Sequence, residues 1–212
     1  MRPNQVNCRL LVLSASLALL GLAAGVIAWR VISASRAPSN GSMIVLPEPR
    51  AISQFDLLDQ HGLPFTLDDL KGHWSLLFFG FTSCPDVCPS TLYQLQKARQ
   101  LLKSEHADAV FPQVYLVTVD PERDSPQKLA AYLAYFDSAF VGLTGTPEQL
   151  QVLASQLGIA FFVEPHSPDI LQYNVDHSAS LLLLDPLGRL YAVLPTPHEA
   201  ARLADDILTV SS

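Results

Sequence analysis

Cys84 and Cys88 stand in the run Phe79-Gly80-Phe81-Thr82-Ser83-Cys84-Pro85-Asp86-Val87-Cys88-Pro89-Ser90, and each is followed by a proline. Two thiols held this close can act as a dithiol/disulfide redox pair, as ligands for a soft metal, or as both in turn. Cysteine also fills cores as a small hydrophobe, but a loop between two prolines is a poor place for that role. The spacing bears on the choice. Redox pairs of the thioredoxin kind use C-x-x-C, and three intervening residues make a wider loop that brings both sulfurs to one ion without forbidding a disulfide. Structural zinc wants four protein ligands, and only these two cysteines lie outside the N-terminal stretch. Two thiolates and one further donor would instead suit Cu(I), which takes soft ligands.

The backbone that positions the thiols is legible on either side. Trp74-Ser75-Leu76-Leu77-Phe78-Phe79 reads as a buried strand ending at Gly80. A residue before proline is pushed away from the helical region, so both cysteines are expected on loop-like backbone. A helix is expected from Pro89 to about Glu105, with Leu92, Leu95 and Leu102 at helical spacing and Pro89 suited to its first turn. The thiols thus fall where a strand hands over to a helix N-terminus, and the positive end of the helix dipole favours thiolate.

Further along, Val114–Val119 reads as a second buried strand and Asp120-Pro121-Glu122-Arg123-Asp124 leads into a helix from about Pro126 to Phe136. Phe140–Leu143 is a short strand. Thr146 caps the next helix, with Pro147 in its first turn. Residues 164–176 read as an irregular loop, His177–Leu184 as an apolar strand turned by Asp185-Pro186-Leu187-Gly188 into Arg189–Leu194, and His198–Leu208 as the last helix. Phe55–Leu58 and Pro64–Leu67 flank a turn and form a hairpin. Strand–helix alternation followed by a hairpin and a helix describes an α/β sheet sandwiched by helices, of thioredoxin-like type.

Ahead of this domain (residues 51–212), a tail (1–9), an apolar stretch (10–29) and a linker (30–50) are expected. The stretch LLVLSASLALLGLAAGVIAW carries no charge over 20 residues. At about 1.5 Å per residue it spans a hydrocarbon core of roughly 30 Å, and Trp29-Arg30 close it like an interfacial anchor. A cleaved signal peptide usually has a shorter apolar core, although Ser33-Ala34-Ser35 offers small residues for cleavage. A short tail stays inside easily, which puts the domain on the outer face. Residues 1–36 carry four arginines and no acid, leaving −11 for the remainder of a chain whose formal charge is −7. So acidic a domain is not a nucleic-acid binder.

A third metal donor would come from the six histidines. His61, His73, His106 and His198 fall in turns or at element ends, where solvated histidine is the ordinary case. His166 lies in the irregular loop. His177, in Asp176-His177-Ser178, enters an apolar strand opposite the cysteine loop. Spacing alone does not settle the choice.

Three motifs in order, Thr82-Ser83-Cys84-Pro85-Asp86-Val87-Cys88-Pro89, Val119-Asp120-Pro121-Glu122-Arg123-Asp124 and Val175-Asp176-His177-Ser178, resemble the Sco/SenC family over about residues 50–210. The resemblance implies a thioredoxin-like fold tethered by one N-terminal transmembrane helix. It further implies a copper-binding metallochaperone, not an enzyme, that serves cytochrome c oxidase assembly. Carried over, Cys84, Cys88 and His177 are the copper ligands, Asp120 stands near the site, and Asp86 tunes the cysteine loop. The implied partners are subunit II of the oxidase, whose binuclear copper centre receives the metal, and a periplasmic copper donor or thiol reductant. A thiol–disulfide oxidoreductase that reduces the acceptor cysteines is the alternative; against it stand the spacing and the lack of a proline beside His177.

The absence of an Arg- and Ser-rich presequence points to a bacterial inner membrane, with a single span and the domain facing the periplasm. N-terminal sequencing of the protein from membranes is expected to return an uncleaved chain that retains Arg2; a start near Ser35 would show a cleaved signal peptide instead.

Overall fold

The strand that precedes the cysteines is the middle of the structure. In the computed structural model, which describes residues 43–211 apart from 168, 170 and 171, β4 (Ser75–Gly80) is buried at all six positions. A strand buried on both faces loses the in–out alternation and becomes a continuous apolar run, as Leu76-Leu77-Phe78-Phe79 is. Each such side chain contributes roughly 1.5–3 kcal/mol of transfer free energy.

The sheet grows from β4 in both directions. On one side β4 runs parallel to β5 (Gln113–Thr118), and β5 parallel to β6 (Val141–Thr144). Parallel neighbours need crossovers, supplied by α1 (Val87–Glu105) between β4 and β5 and by α2 (Pro126–Ala134) between β5 and β6. β6 is flanked in turn by the hairpin β2 (Asp56–Asp59) and β3 (Pro64–Thr66). On the other side β4 pairs antiparallel with β9 (Leu181–Leu184), β9 with β10 (Leu190–Leu194), and β10 with β1 (Ile44–Arg50). The eight strands lie in the order β1-β10-β9-β4-β5-β6-β2-β3. Helix α3 (Pro147–Leu157) follows β6, and α4 (Ala200–Leu208) closes the chain and packs against α1. Outside the main sheet, β7 (Phe161–Val163) and β8 (Val175–His177) pair only with each other.

Local chemistry explains where the helices begin. Ser125 Oγ accepts from Lys128 N ahead of Pro126. Thr146 and Gln149 form a reciprocal capping box ahead of Pro147, and Gly158 ends α3 in the left-handed region at φ 73°. Helix α2 lies tight on β6 because Gly142 has no side chain: a Cβ there would stand 2.7 Å from Leu129 Cβ.

Three expectations are corrected. The stretch expected to be linker up to residue 50 contributes β1, since Ile44–Arg50 finds the free edge of β10. Helix α1 starts at Val87, so Cys88 sits in its first turn and not on a loop. Pro89 is tolerated after it because N–H groups in a first turn have no helical partner to lose. His177–Leu184 is two strands. Residues 175–177 alternate in burial while 181–184 are wholly buried, and Ser178 N donates back to Ala160 O at 2.9 Å to close the small hairpin.

Residues 10–29, expected as a membrane anchor, lie outside the described residues. No helix among the described residues is long and apolar enough to cross a membrane.

Candidate metal centre

The ends of β4 and β5 that point toward the helix N-termini carry the site, where ligand positions usually fall in sheets of this kind. After Gly80, the chain makes a short turn in which Cys84 N donates to Phe81 O at 3.3 Å. It then enters α1, so Cys84 is half-buried at the surface and Cys88 is fully buried. Gly80 is required at the strand end: a Cβ there would lie 2.9 Å from Cys88 Sγ.

His177 reaches the sulfurs from the other side, at the end of β8. Its Nε2 lies 3.5 Å from Cys88 Sγ, and the ligating atoms of Cys84, Cys88 and His177 all lie within 4.8 Å of one another. Nδ1 donates to Ser178 O at 3.1 Å, which fixes the tautomer and leaves the Nε2 lone pair facing the thiols. The rings of Phe78 and Phe81 meet the imidazole edge-on at 6.2 and 5.8 Å between centroids. Among the described residues this is the one cluster of three such side chains with metal-ligand spacing.

Burial dominates the electrostatics. It pushes the Cys88 thiol well above its ordinary range, and the neighbouring Cys84 adds to the rise. Loss of solvent outweighs the opposing hydrogen bond from the Phe81 backbone, so the thiolate expected at this helix N-terminus is not favoured in the metal-free site. Burial also pushes His177 below its ordinary value, against smaller opposing effects of the Ser178 carbonyl and Asp176. The imidazole is thus neutral and ready to ligate near neutral pH.

A first-row ion holds nitrogen and sulfur donors at roughly 2.0–2.3 Å, so donors already this close fit one ion with small side-chain movements. Two sulfurs and one imidazole are a soft set, suited to copper.

The remaining expected residues fall as follows. Asp120 is buried at the end of β5, where it accepts from Tyr173 OH at 2.5 Å and from Arg123 Nε. It meets the site through those two side chains and is not one of the clustered donors. Asp86 is exposed at the N-cap of α1, where its carbonyl accepts from Ser90 N while its side chain makes no capping bond. His166 stacks on Tyr173 at 3.6 Å and pairs with Glu122, so the irregular loop holds it outside the cluster.

Two histidines expected to be solvated are half-buried and bonded. His73 meets Tyr115 OH at 3.1 Å, and His198 bridges Thr91 Oγ1 and Leu194 O.

Sequence reasoning missed Asp124. Its carboxylate, fully buried, accepts from Thr82 N at 2.9 Å, Thr82 Oγ1 at 2.5 Å and Thr118 Oγ1 at 2.8 Å. It thereby anchors the start of the cysteine turn to β5. The one available signal was its place in the Asp120–Asp124 motif; its partner Thr82 lies 42 positions away.

Comparison with known proteins agrees with this geometry. The SCO1/SenC family profile matches residues 46–212. A putative copper-binding protein of Stutzerimonas stutzeri is 43% identical over 156 residues, covering 74% of each chain. Protein sco1 of Schizosaccharomyces pombe is 36% identical over 71% of this chain, but the match spans only 57% of its own length. Among solved structures, copper-bound yeast Sco1 superposes with a TM-score of 0.70 at 33% identity, covering 76% of this chain and 88% of that one. With the fold, the two cysteines and the histidine all in place, this chain belongs to the SCO1/SenC family.

Proposed function

We propose that this protein is a membrane-anchored copper chaperone that binds the metal through Cys84, Cys88 and His177 and passes it to the binuclear copper centre of cytochrome c oxidase subunit II. The observation that carries the reading is the convergence of two sulfurs and one imidazole nitrogen, from two separate elements, within 4.8 Å. A soft three-donor set holds copper without enclosing it. Cys84 at the surface is the sulfur an incoming or departing partner reaches first, while buried Cys88 and His177 hold the deeper side.

The domain's role is to present these donors in fixed positions: Gly80 admits the Cys88 sulfur, Asp124 anchors the turn, and Ser178 orients the imidazole. Residues 10–29 would tether it to a bacterial inner membrane, facing the periplasm.

The same asymmetry favours a second reading. An exposed thiol beside a buried one, on a thioredoxin-like scaffold, is also the arrangement of an attacking and a resolving cysteine. That protein would be a reductase of the acceptor cysteines, with no use for the imidazole.

Copper titration with each valence separates the residues. Cys84→Ala and Cys88→Ala are each expected to weaken binding of both valences by at least about 10–100-fold, His177→Ala to weaken Cu(II) binding to that extent and Cu(I) binding far less, and His166→Ala to leave both near the parent value. A His177→Ala protein that bound both copper valences as tightly as the parent would end the three-donor reading.

Affinity should also rise with pH. The Cys88 proton, held on by burial, must leave when the metal binds, whereas His177 is already neutral near pH 7. Each displaced proton adds about tenfold in apparent affinity per pH unit, so competition titrations between about pH 6 and 8 should show at least that slope. A flat profile would mean that Cys88 does not bind as thiolate.

In cells kept at low copper, His177→Ala is expected to abolish oxidase activity while the dithiol still forms a disulfide. Normal activity there would establish the reductase reading in place of the chaperone.

A further inference from the structure

The hairpin that carries His177 shares no ladder with the main sheet, and something other than strand pairing must set its distance from the cysteines. Packing beneath it is incomplete: a cavity of about 140 Å³ lies there, lined by Val119, Leu150, Phe161, Val163 and Tyr173 among others. Beyond the edge-on contacts of His177 itself with Phe78 and Phe81, the guanidinium of Arg123 bridges hairpin and cysteine turn. It lies 3.8 Å from the centroid of the Tyr173 ring and 5.6 Å from that of Phe81. Phe81 leads into the turn of Cys84, and Tyr173 leads into β8 and His177.

Arg123 also donates through Nη1 to Tyr173 O at 3.2 Å and through Nε to Asp120, which accepts the Tyr173 hydroxyl. Tyr173 is therefore held by its carbonyl, its hydroxyl and a ring face, with His166 stacked at 3.6 Å to complete a sandwich. Only a planar fork can stack on a ring and bond Asp120 and a carbonyl together, so lysine is no substitute here. Both members of the ion pair are nearly closed to solvent, at 11% side-chain exposure for Arg123 and 1% for Asp120, which keeps the arrangement rigid.

We propose that Arg123 and Tyr173 are positioning residues that latch the β7–β8 hairpin, and with it the imidazole of His177, onto the cysteine turn, and that this latch sets the site's affinity for Cu(II) relative to Cu(I). The inference rests on the three-donor copper reading above. Two thiolates alone satisfy Cu(I), whereas Cu(II) draws on imidazole and a fuller donor set. Loosening the hairpin withdraws the imidazole and leaves the sulfurs in place, so the cost falls on one valence.

Tyr173→Leu is the cleanest variant, because it opens the latch and leaves the buried Arg123–Asp120 pair intact. Full-length protein in detergent, parent and variant, would be titrated with Cu(II) and anaerobically with Cu(I) against competing chelators, each with and without His177→Ala. Tyr173→Leu is expected to lose about 10–100-fold in Cu(II) affinity and to shift the sulfur-to-copper charge-transfer band. Cu(I) affinity should change less than about threefold, since both thiolates remain. In the His177→Ala background Tyr173→Leu should have no further effect on Cu(II), because the two changes act through one donor.

Equal losses for both valences, an unchanged Cu(II) affinity, or an additive loss on top of His177→Ala would each overturn the latch. If parent and His177→Ala alone bound Cu(II) alike, the three-donor reading would be what fails. Should Tyr173→Leu not fold, Arg123→Lys keeps the charge beside Asp120 while losing the planar fork. It is expected to show the same valence-selective loss, and parent-like Cu(II) binding by Arg123→Lys would overturn the proposal.

Discussion

Beneath the cysteine turn sits the carboxylate of Asp124, closed to solvent, and the geometry of the site depends on how that charge is satisfied. A carboxylate taken out of water without partners costs several kcal/mol or more. Here the backbone and hydroxyl of Thr82 and the hydroxyl of Thr118 donate to it, with Lys128 Nζ 3.5 Å away. Because Thr82 precedes Cys84 by two residues and Thr118 ends β5, the bonds that satisfy the charge also hold the turn against the sheet. The turn is thus fixed by a network in which every member loses by moving.

The second dependence is steric. Cys88 Sγ lies so close to β4 that residue 80 has no room for a Cβ, and this closeness removes solvent from the sulfur. Its consequences for chemistry run in two directions. Burial holds the proton on Cys88 in the absence of metal, which protects the thiol from adventitious oxidation, since the thiolate is the reactive form. The same burial keeps His177 neutral and available. Cys84, half-buried, remains the accessible member. One desolvated environment therefore suppresses unwanted thiol chemistry and keeps the nitrogen donor ready, while leaving a single sulfur open to partners.

The two sides of the site differ in how firmly they are built. The cysteines lie at the end of β4 and in the first turn of α1, both packed into the principal core, whereas His177 rides on a short hairpin of three paired residues per strand outside the main sheet. Elements outside the cooperative core open at lower cost than those within it. The sulfurs thus belong to the half of the site that the core holds, and the nitrogen to the lighter half.

Much of this was legible in the residues themselves. The apolar run 74–79 read as a buried strand, and the prolines and caps at Pro126, Thr146 and Pro147 marked helix starts that the structure keeps, because these signals act through the local backbone. The two-cysteine spacing raised a soft-metal site, and the three motifs pointed to His177, which the fold brings within 4.8 Å of both sulfurs. What the sequence could not decide were facts created by contacts between distant segments. Cys88 was expected on a loop as a ready thiolate. It lies instead in a buried helical turn, because α1 seats that turn against Gly80, and desolvation there holds the proton on the sulfur. Residues 44–50 looked like linker until β10 offered an edge to pair with. His177 was expected to open a strand running to Leu184, yet it ends a separate hairpin, which Arg123 meets from across the fold through its bond to Tyr173 O. Local propensity fixes which elements form; only tertiary packing decides which polar groups lose water and which distant side chains meet.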